Sequence, residues 1–399
     1  MIIINIYIMV KKIGIVIFIV TFILAMPFGN SQNLSSENMN DVLNNAQQGD
    51  IVSLPWFFSN QTKRGVVSYD KISLRSPQLV FSDDPEYITD TEAVVLKEAI
   101  IPGRVRVYLY NVNGVVKPQK MPRKIVAMLK NTSDKTMHFR MLKHSTQMPS
   151  SNYFLVGKQG LADYFASKAD DNIMTLKPGE AVPLDPKLDT LVANYNDLVH
   201  GIYEFSIDQP GEVVIFQTSP HVNSVDALNR IHHIMPLGHL NGGRGLFSTC
   251  NFRIISKEIL DTKNGPAVLT VADGVTDPWI TGVEGTTKTS VKLDGNYGVM
   301  YDIELKWRST DGKGLALVTW NPQCDGMANT VVVSSGKFKG GIVKLPMKIL
   351  SVGRIPNAIL IQIFKPSNKG EVQTIKLTYS PPGASCIPTP LGFIPIDLK

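Results

Sequence analysis

The stretch "GVMYDIELKW" (Gly298–Trp307) decides the fold class. Val299, Tyr301, Ile303, Leu305 and Trp307 fall on one side of an extended chain; Met300, Asp302, Glu304 and Lys306 fall on the other. A period of two is the geometry of a half-buried strand, because successive side chains point to opposite faces. "LALVTW" (315–320), "NTVVVSS" (329–335), "GGIVKLP" (340–346), "ILIQIF" (359–364) and "VQTIKLTYS" (372–380) follow, each bounded by Gly, Pro, Asn or Ser. Trp307 shares the apolar side of its strand, which assigns it to a core rather than to an exposed platform for sugar rings.

The same pattern runs upstream. "RVRVYLY" (104–110) sets Val105, Val107 and Leu109 on one face and Arg104, Arg106 and Tyr108 on the other. "RKIVAMLKN" (123–131) and "TMHFRML" (136–142) send Ile125, Ala127 and Leu129, then Met137, Phe139 and Met141, inward. "NTSDKT" between them reads as a hairpin loop, as does Gln209-Pro210-Gly211 between "GIYEFSID" and "EVVIFQT". Only "GKQGLADYFASK" (157–168) has helical spacing, with Leu161, Tyr164 and Phe165 on one side. Short strands with almost no helix imply an all-β chain, two antiparallel, jelly-roll-like β-sandwiches in tandem. The expected first sandwich is 65–238 and the second 239–399, with a seam near 235–250 and a polar leader or short helix over 32–64.

At the N-terminus, Lys11 and Lys12 precede the apolar run "IGIVIFIVTFILAMPF" and then Gly29 and Ser31. This has the shape of a signal peptide over 1–31, and a run of that length is short for a membrane span. Removing it takes away two lysines and no acid, lowering the net charge from +6 to +4. A mildly basic exported chain suits an anionic cell-wall polymer or a glycan; it suits no nucleic acid, and would meet a membrane only through an uncleaved signal segment. Of the three cysteines, Cys250, Cys324 and Cys386, at least one is unpaired within the chain, and no CxxC is present.

The densest chemistry is "RIHHIMPLGHLNGGRGLF" (230–247). A metal would draw on His221, His232 and His239. Their spacing argues against one, because the adjacent His232 and His233 point to opposite faces of a strand and no HExxH or HxH occurs. No cofactor is expected. Signatures for nucleophilic catalysis are missing too: neither GxSxG nor SxxK occurs, and no base can be named beside a cysteine. "SDDPE" (82–86) and "ADGVTDPW" (272–279) supply carboxylates, which turn formation explains most cheaply, although paired acids across a cleft could cleave glycosides. "DGVTD" lacks the other oxygen ligands of a calcium loop, and "NGGRG" lacks the GK[ST] of a phosphate loop.

"FSDDPEYI", "PGRVRVYLYNVNG" with Asn111 and Asn113, "RKIVAMLKNTSDKTMHF", "GHLNGGRGLFS" and "DGNYGVMYDIELKW" together resemble secreted proteins of low-GC Gram-positive bacteria. These are associated with a copper-amine-oxidase-like stalk module. The resemblance spans roughly 75–380 and implies an envelope location and no established catalytic residues. Residues 32–70 are too few for the stalk module itself. Within "HLNGGRGLF", Arg244 between glycines suggests a tight turn with its guanidinium fixed on carbonyls or a carboxylate. Arg244 and His233 are therefore expected at the junction of the sandwiches or on a ligand. The expectation is a secreted or cell-surface, non-catalytic binding or scaffolding protein. The alternatives are an extracellular hydrolase using the histidine-rich segment and a glycan-binding module.

Overall fold

The computed structural model describes residues 36–238, 243–323, 327–345, 356–381 and 383–399. The expected signal peptide over 1–31 lies outside them. Strands dominate and, among the described residues, form four sheets of six, nine, four and seven strands. No helix among the described residues is long and apolar enough to cross a membrane.

Met300–Arg308 forms the strand that its alternation predicts, with Tyr301, Ile303, Leu305 and Trp307 buried and Asp302 and Lys306 exposed. It lies in the seven-strand sheet, antiparallel to Gln373–Tyr379 but parallel to Asn251–Ser256. Gly103–Asn113, in the nine-strand sheet, is likewise antiparallel to Leu198–Ile207 and parallel to Gln78–Ser82. The seven- and nine-strand sheets are therefore mixed, whereas the four-strand sheet is purely antiparallel.

From Val105 onward the Gly103–Asn113 strand keeps its alternation but has no solvent face. Val105, Val107 and Leu109 enter one core, shared with Ile125, Ala127, Leu129, Val213 and Ile215 of the four-strand sheet. Tyr108, Tyr110 and Val112 enter a second core, shared with Tyr301, Ile303 and Trp307 of the seven-strand sheet and Leu317 and Ile361 of the six-strand sheet. The neighbouring Leu198–Ile207 strand divides in the same way: Val199, Tyr203 and Phe205 face the first core and Leu198 and Ile202 the second. One sheet is thus a wall common to two cores.

Both expected hairpins are instead crossings between sheets. Lys124–Asn131 belongs to the four-strand sheet and Met137–Thr146 to the nine-strand sheet; Leu198–Ile207 and Gly211–Thr218 are divided similarly. Asn131 does shape its loop, accepting from the Ser133 amide at 3.0 Å. Turn chemistry directs the chain to reverse but does not name the sheet it enters. Burying Leu129, Met137, Phe139, Ile207 and Val213 in one core selects the crossing.

The division at 238/239 is not followed by the strands. Tyr69–Ser73 pairs with Asn251–Ser256, whereas Arg244–Phe247 pairs back onto Gln78–Ser82 and carries Thr281–Val283 beside it. Nor is 32–64 merely a leader. Helix Ser36–Asn45 buries Met39 and Leu43, four residues apart, and Ile51–Ser53 pairs with Asn357–Ile359. With Phe57 they cover Ala316, Val318, Leu360 and Ile394 on the outer face of the six-strand sheet. The predicted helix forms over Tyr153–Ala166, capped by the Asn152 side chain on the Leu155 amide. Its Lys158 carbonyl accepts from the Thr330 hydroxyl at 2.9 Å, tying it to the other half.

Arg106 fastens the shared wall to its neighbour. Its guanidinium donates to Glu204 at 2.8 and 3.1 Å and reaches across to Asn251 Oδ1 at 2.9 Å and the Gly298 carbonyl at 3.1 Å. Tyr164 donates to the same Glu204 oxygen at 2.6 Å, and Arg104 pairs with the other. Burial works against the Glu204 carboxylate, but Arg106, Tyr164 and Arg104 hold it down at about 2. Arg106→Leu would strand that charge with only the half-exposed Arg104, and breaking such a pair costs about 3 kcal/mol. Urea unfolding should show this loss, with most of it restored in Arg106→Leu/Glu204→Leu. An Arg106→Leu loss below about 1 kcal/mol would deny the pair this role.

Candidate functional site

The histidine-rich stretch does not converge. Ile231 and Met235 take its buried positions, leaving His232 and His233 exposed. His233 Nε2 pairs with Asp90 at the surface, 2.9 Å away, so it is neither buried nor at a junction. His221 is exposed as well, and His239 lies outside the described residues. Among the described residues no group of three or more His, Cys, Asp or Glu side chains is placed to hold a metal ion.

Arg244 sits in a strand rather than a tight turn, and it is 1% exposed. Its Nη1 donates to the carbonyls of Val95 at 2.8 Å, Met235 at 2.9 Å and Asp84 at 3.4 Å. Nη2 lies 3.3 Å from Glu284. Burial opposes the Glu284 charge, yet the Thr287 hydroxyl and amide, with Arg244, hold that carboxyl below its usual range. These contacts pin the segment following Met235 onto the first half of the chain. Lysine keeps the charge and loses the planar fork. Arg244→Lys should lower stability by about 1–3 kcal/mol, read from the unfolding midpoint; an unchanged midpoint would contradict this anchoring role.

The other sequence candidates are structural. Asp277 is buried, accepts from the Ala272 amide at 2.7 Å and the Tyr301 hydroxyl at 2.6 Å, and pairs with Lys71. Trp320 packs edge-on against Phe57 and Phe58, and Trp307 is in the core. Cys250 is free and buried, its thiol pushed up to about 11 by burial, while Cys386 is disulfide-bonded and Cys324 lies outside the described residues. His200 is fully buried; burial lowers it to about 4, so the ring is neutral, and Nδ1 donates to the Leu109 carbonyl at 2.7 Å.

A pocket that the histidines did not signal opens beside the shared wall. It is a cavity of about 170 Å³ lined by Phe81, Asp83, Glu86, Tyr108, Tyr110, Tyr297, Gly383 and Ala384. Tyr108 and Tyr110 come from one face of Gly103–Asn113, and Phe81 from the parallel strand beside it, stacked on Tyr108 at 4.9 Å. Tyr297 is held by its hydroxyl donating to the Ser385 carbonyl at 2.8 Å. Two glycines make the space. A Cβ on Gly243, within "NGGRG", would meet the Phe81 ring at 2.9 Å and Asp83 at 3.0 Å, and one on Gly383 would meet the Tyr108 hydroxyl at 2.9 Å.

The acids here are not equivalent. Asp84 is spent on structure, accepting from the Gly238 amide at 2.9 Å. Asp83 Oδ1 is shut off from solvent and has no hydrogen-bond partner. Burial, then the neighbouring Glu86 and Asp84, push the Asp83 carboxyl well above its usual range. Glu86 lies at the exposed rim and is raised by burial. Burial first, and acidic neighbours after it, raise the phenols of Tyr108, Tyr110 and Tyr297, which stay neutral donors. "SDDPE" was visible as a carboxylate cluster, and Tyr108 as one face of a strand. Their convergence depends on a parallel pairing that no local pattern signals.

No family model and no curated protein matches the chain. Among solved structures, the CUB1-EGF-CUB2 domain of human MASP-1/3 aligns over 75% of this chain and 99% of that one, at 9% identity and a TM-score of 0.19, a likeness too slight to carry an argument.

Proposed function

We propose that the protein is an exported, envelope-associated β-sandwich protein, secreted or held at the cell surface, that works as a non-catalytic binding module through the aromatic–acid pocket. One observation carries the reading: four aromatic residues and two carboxylates line one cavity, and one of those acids, Asp83, has an oxygen without a hydrogen-bond partner. Buried polar atoms are nearly always hydrogen-bonded, and an exception calls for an explanation such as a ligand, an ion or a water. The signal-like N-terminus and the disulfide at Cys386 support export, since disulfides persist in oxidising compartments. The buried, protonated thiol of Cys250 supports binding over thiol catalysis.

A hydrolase is the second reading, and a specific arrangement favours it. Two carboxyls share one pocket, Asp83 pushed well above its usual range and the more exposed Glu86 raised by burial. A raised carboxylic acid beside a second carboxyl is the composition of a glycosidic acid–base pair. The two readings separate in one experiment with purified protein, isolated cell walls and soluble glycans. Binding predicts that the protein pellets with walls or retains a glycan, that Gly383→Ala weakens this by about tenfold or more, and that no product is released. Product release abolished by Glu86→Gln would replace binding with hydrolysis.

A further inference from the structure

The geometry points to a protonated primary amine, carried on a short aliphatic stem, as the group this pocket takes. The inference rests on the pocket being the binding site. Three features carry it. First, acceptors for N–H donors line the cavity: the carboxylates of Asp83 and Glu86, of which Asp83 Oδ1 accepts no hydrogen bond within the protein. A quaternary ammonium has no such donor. Second, the walls are aromatic on several sides, with Phe81, Tyr108, Tyr110 and Tyr297 presenting rings to a small cavity. Ring faces attract a cation, and most strongly where water is excluded.

Third, the charge around the cavity has one sign. Asp83 and Glu86 line it, and no Lys or Arg does. Two buried arginines, Arg106 and Arg244, are engaged elsewhere, Arg106 with Glu204 and Arg244 with carbonyls and Glu284. Burial and the neighbouring Glu86 and Asp84 push the Asp83 carboxyl up, and an arriving ammonium would favour its charged form. An acidic pocket on a chain of net charge +6 also fits one kind of polymer. An anionic backbone bearing amine substituents would be drawn by the overall charge and gripped at the substituent.

The test is calorimetric or NMR titration of the purified protein with propylammonium chloride, 1-propanol and methyl glucoside. Propylammonium should bind at least about tenfold more tightly than 1-propanol. Asp83→Asn should abolish that margin while its unfolding midpoint stays at or above that of the parent, because asparagine carries no charge to bury. Gly383→Ala should weaken binding of the amine without touching the acids. Methyl glucoside or 1-propanol binding that survives Asp83→Asn and fails in Gly383→Ala would overturn the amine and leave the pocket as the site. Failure of all three probes, or binding indifferent to Gly383→Ala, would overturn both the amine and the pocket.

Discussion

The structure depends on two neighbouring strands of one sheet that bury both of their sides. In an ordinary sandwich a strand alternates between core and water, and its outward positions tolerate charge. Gly103–Asn113 and Leu198–Ile207 bury both sides, one against the four-strand sheet and the other against the second half of the chain. Every polar residue on the second side must then find a partner. Arg106 and Glu204 find each other, Tyr164 and Asn251, and His200 finds the Leu109 carbonyl. Buried ion pairs add little over apolar replacements, yet breaking one is expensive. Their value here is in position, since only one seating of the two halves satisfies Arg106 on both sides.

The pocket is a consequence of the same constraint. Where the shared wall meets the loops at Asp83–Glu86, Tyr297 and Gly383–Ala384, packing is incomplete and the polar account does not close. Side chains anchored on paired strands hold their geometry better than side chains on mobile loops, so a site built on Tyr108, Tyr110 and Phe81 is pre-organised. Asp83 Oδ1 gives up hydration and gains no partner within the protein. That arrangement costs stability.

Much of the architecture was legible in single strands. The alternation of Gly298–Trp307 reports a core face directly, and the spacing of Leu161, Tyr164 and Phe165 reports a helix. Long-range pairing was not legible. Nothing in "NTSDKT" distinguishes a hairpin from a crossing, because the choice is made by apolar residues on either side seeking one core. The polar composition around Met39 and Leu43 concealed a narrow apolar stripe that becomes meaningful only against the six-strand sheet. The histidines attracted attention as rare, titratable residues clustered in sequence, yet the fold disperses those it describes onto the surface. Arg106 and Tyr108 looked like one side of a half-exposed strand; their importance arises from a second layer that the strand itself cannot announce.

The central claim is that the shared wall makes residues 36–399 one cooperative structure rather than two tandem sandwiches. Differential scanning calorimetry of the intact protein tests it most directly. A single transition is expected, with the calorimetric enthalpy equal to the van't Hoff enthalpy. Two resolved transitions, or a calorimetric enthalpy about twice the van't Hoff value, would show that the halves melt independently and that the wall does not join them.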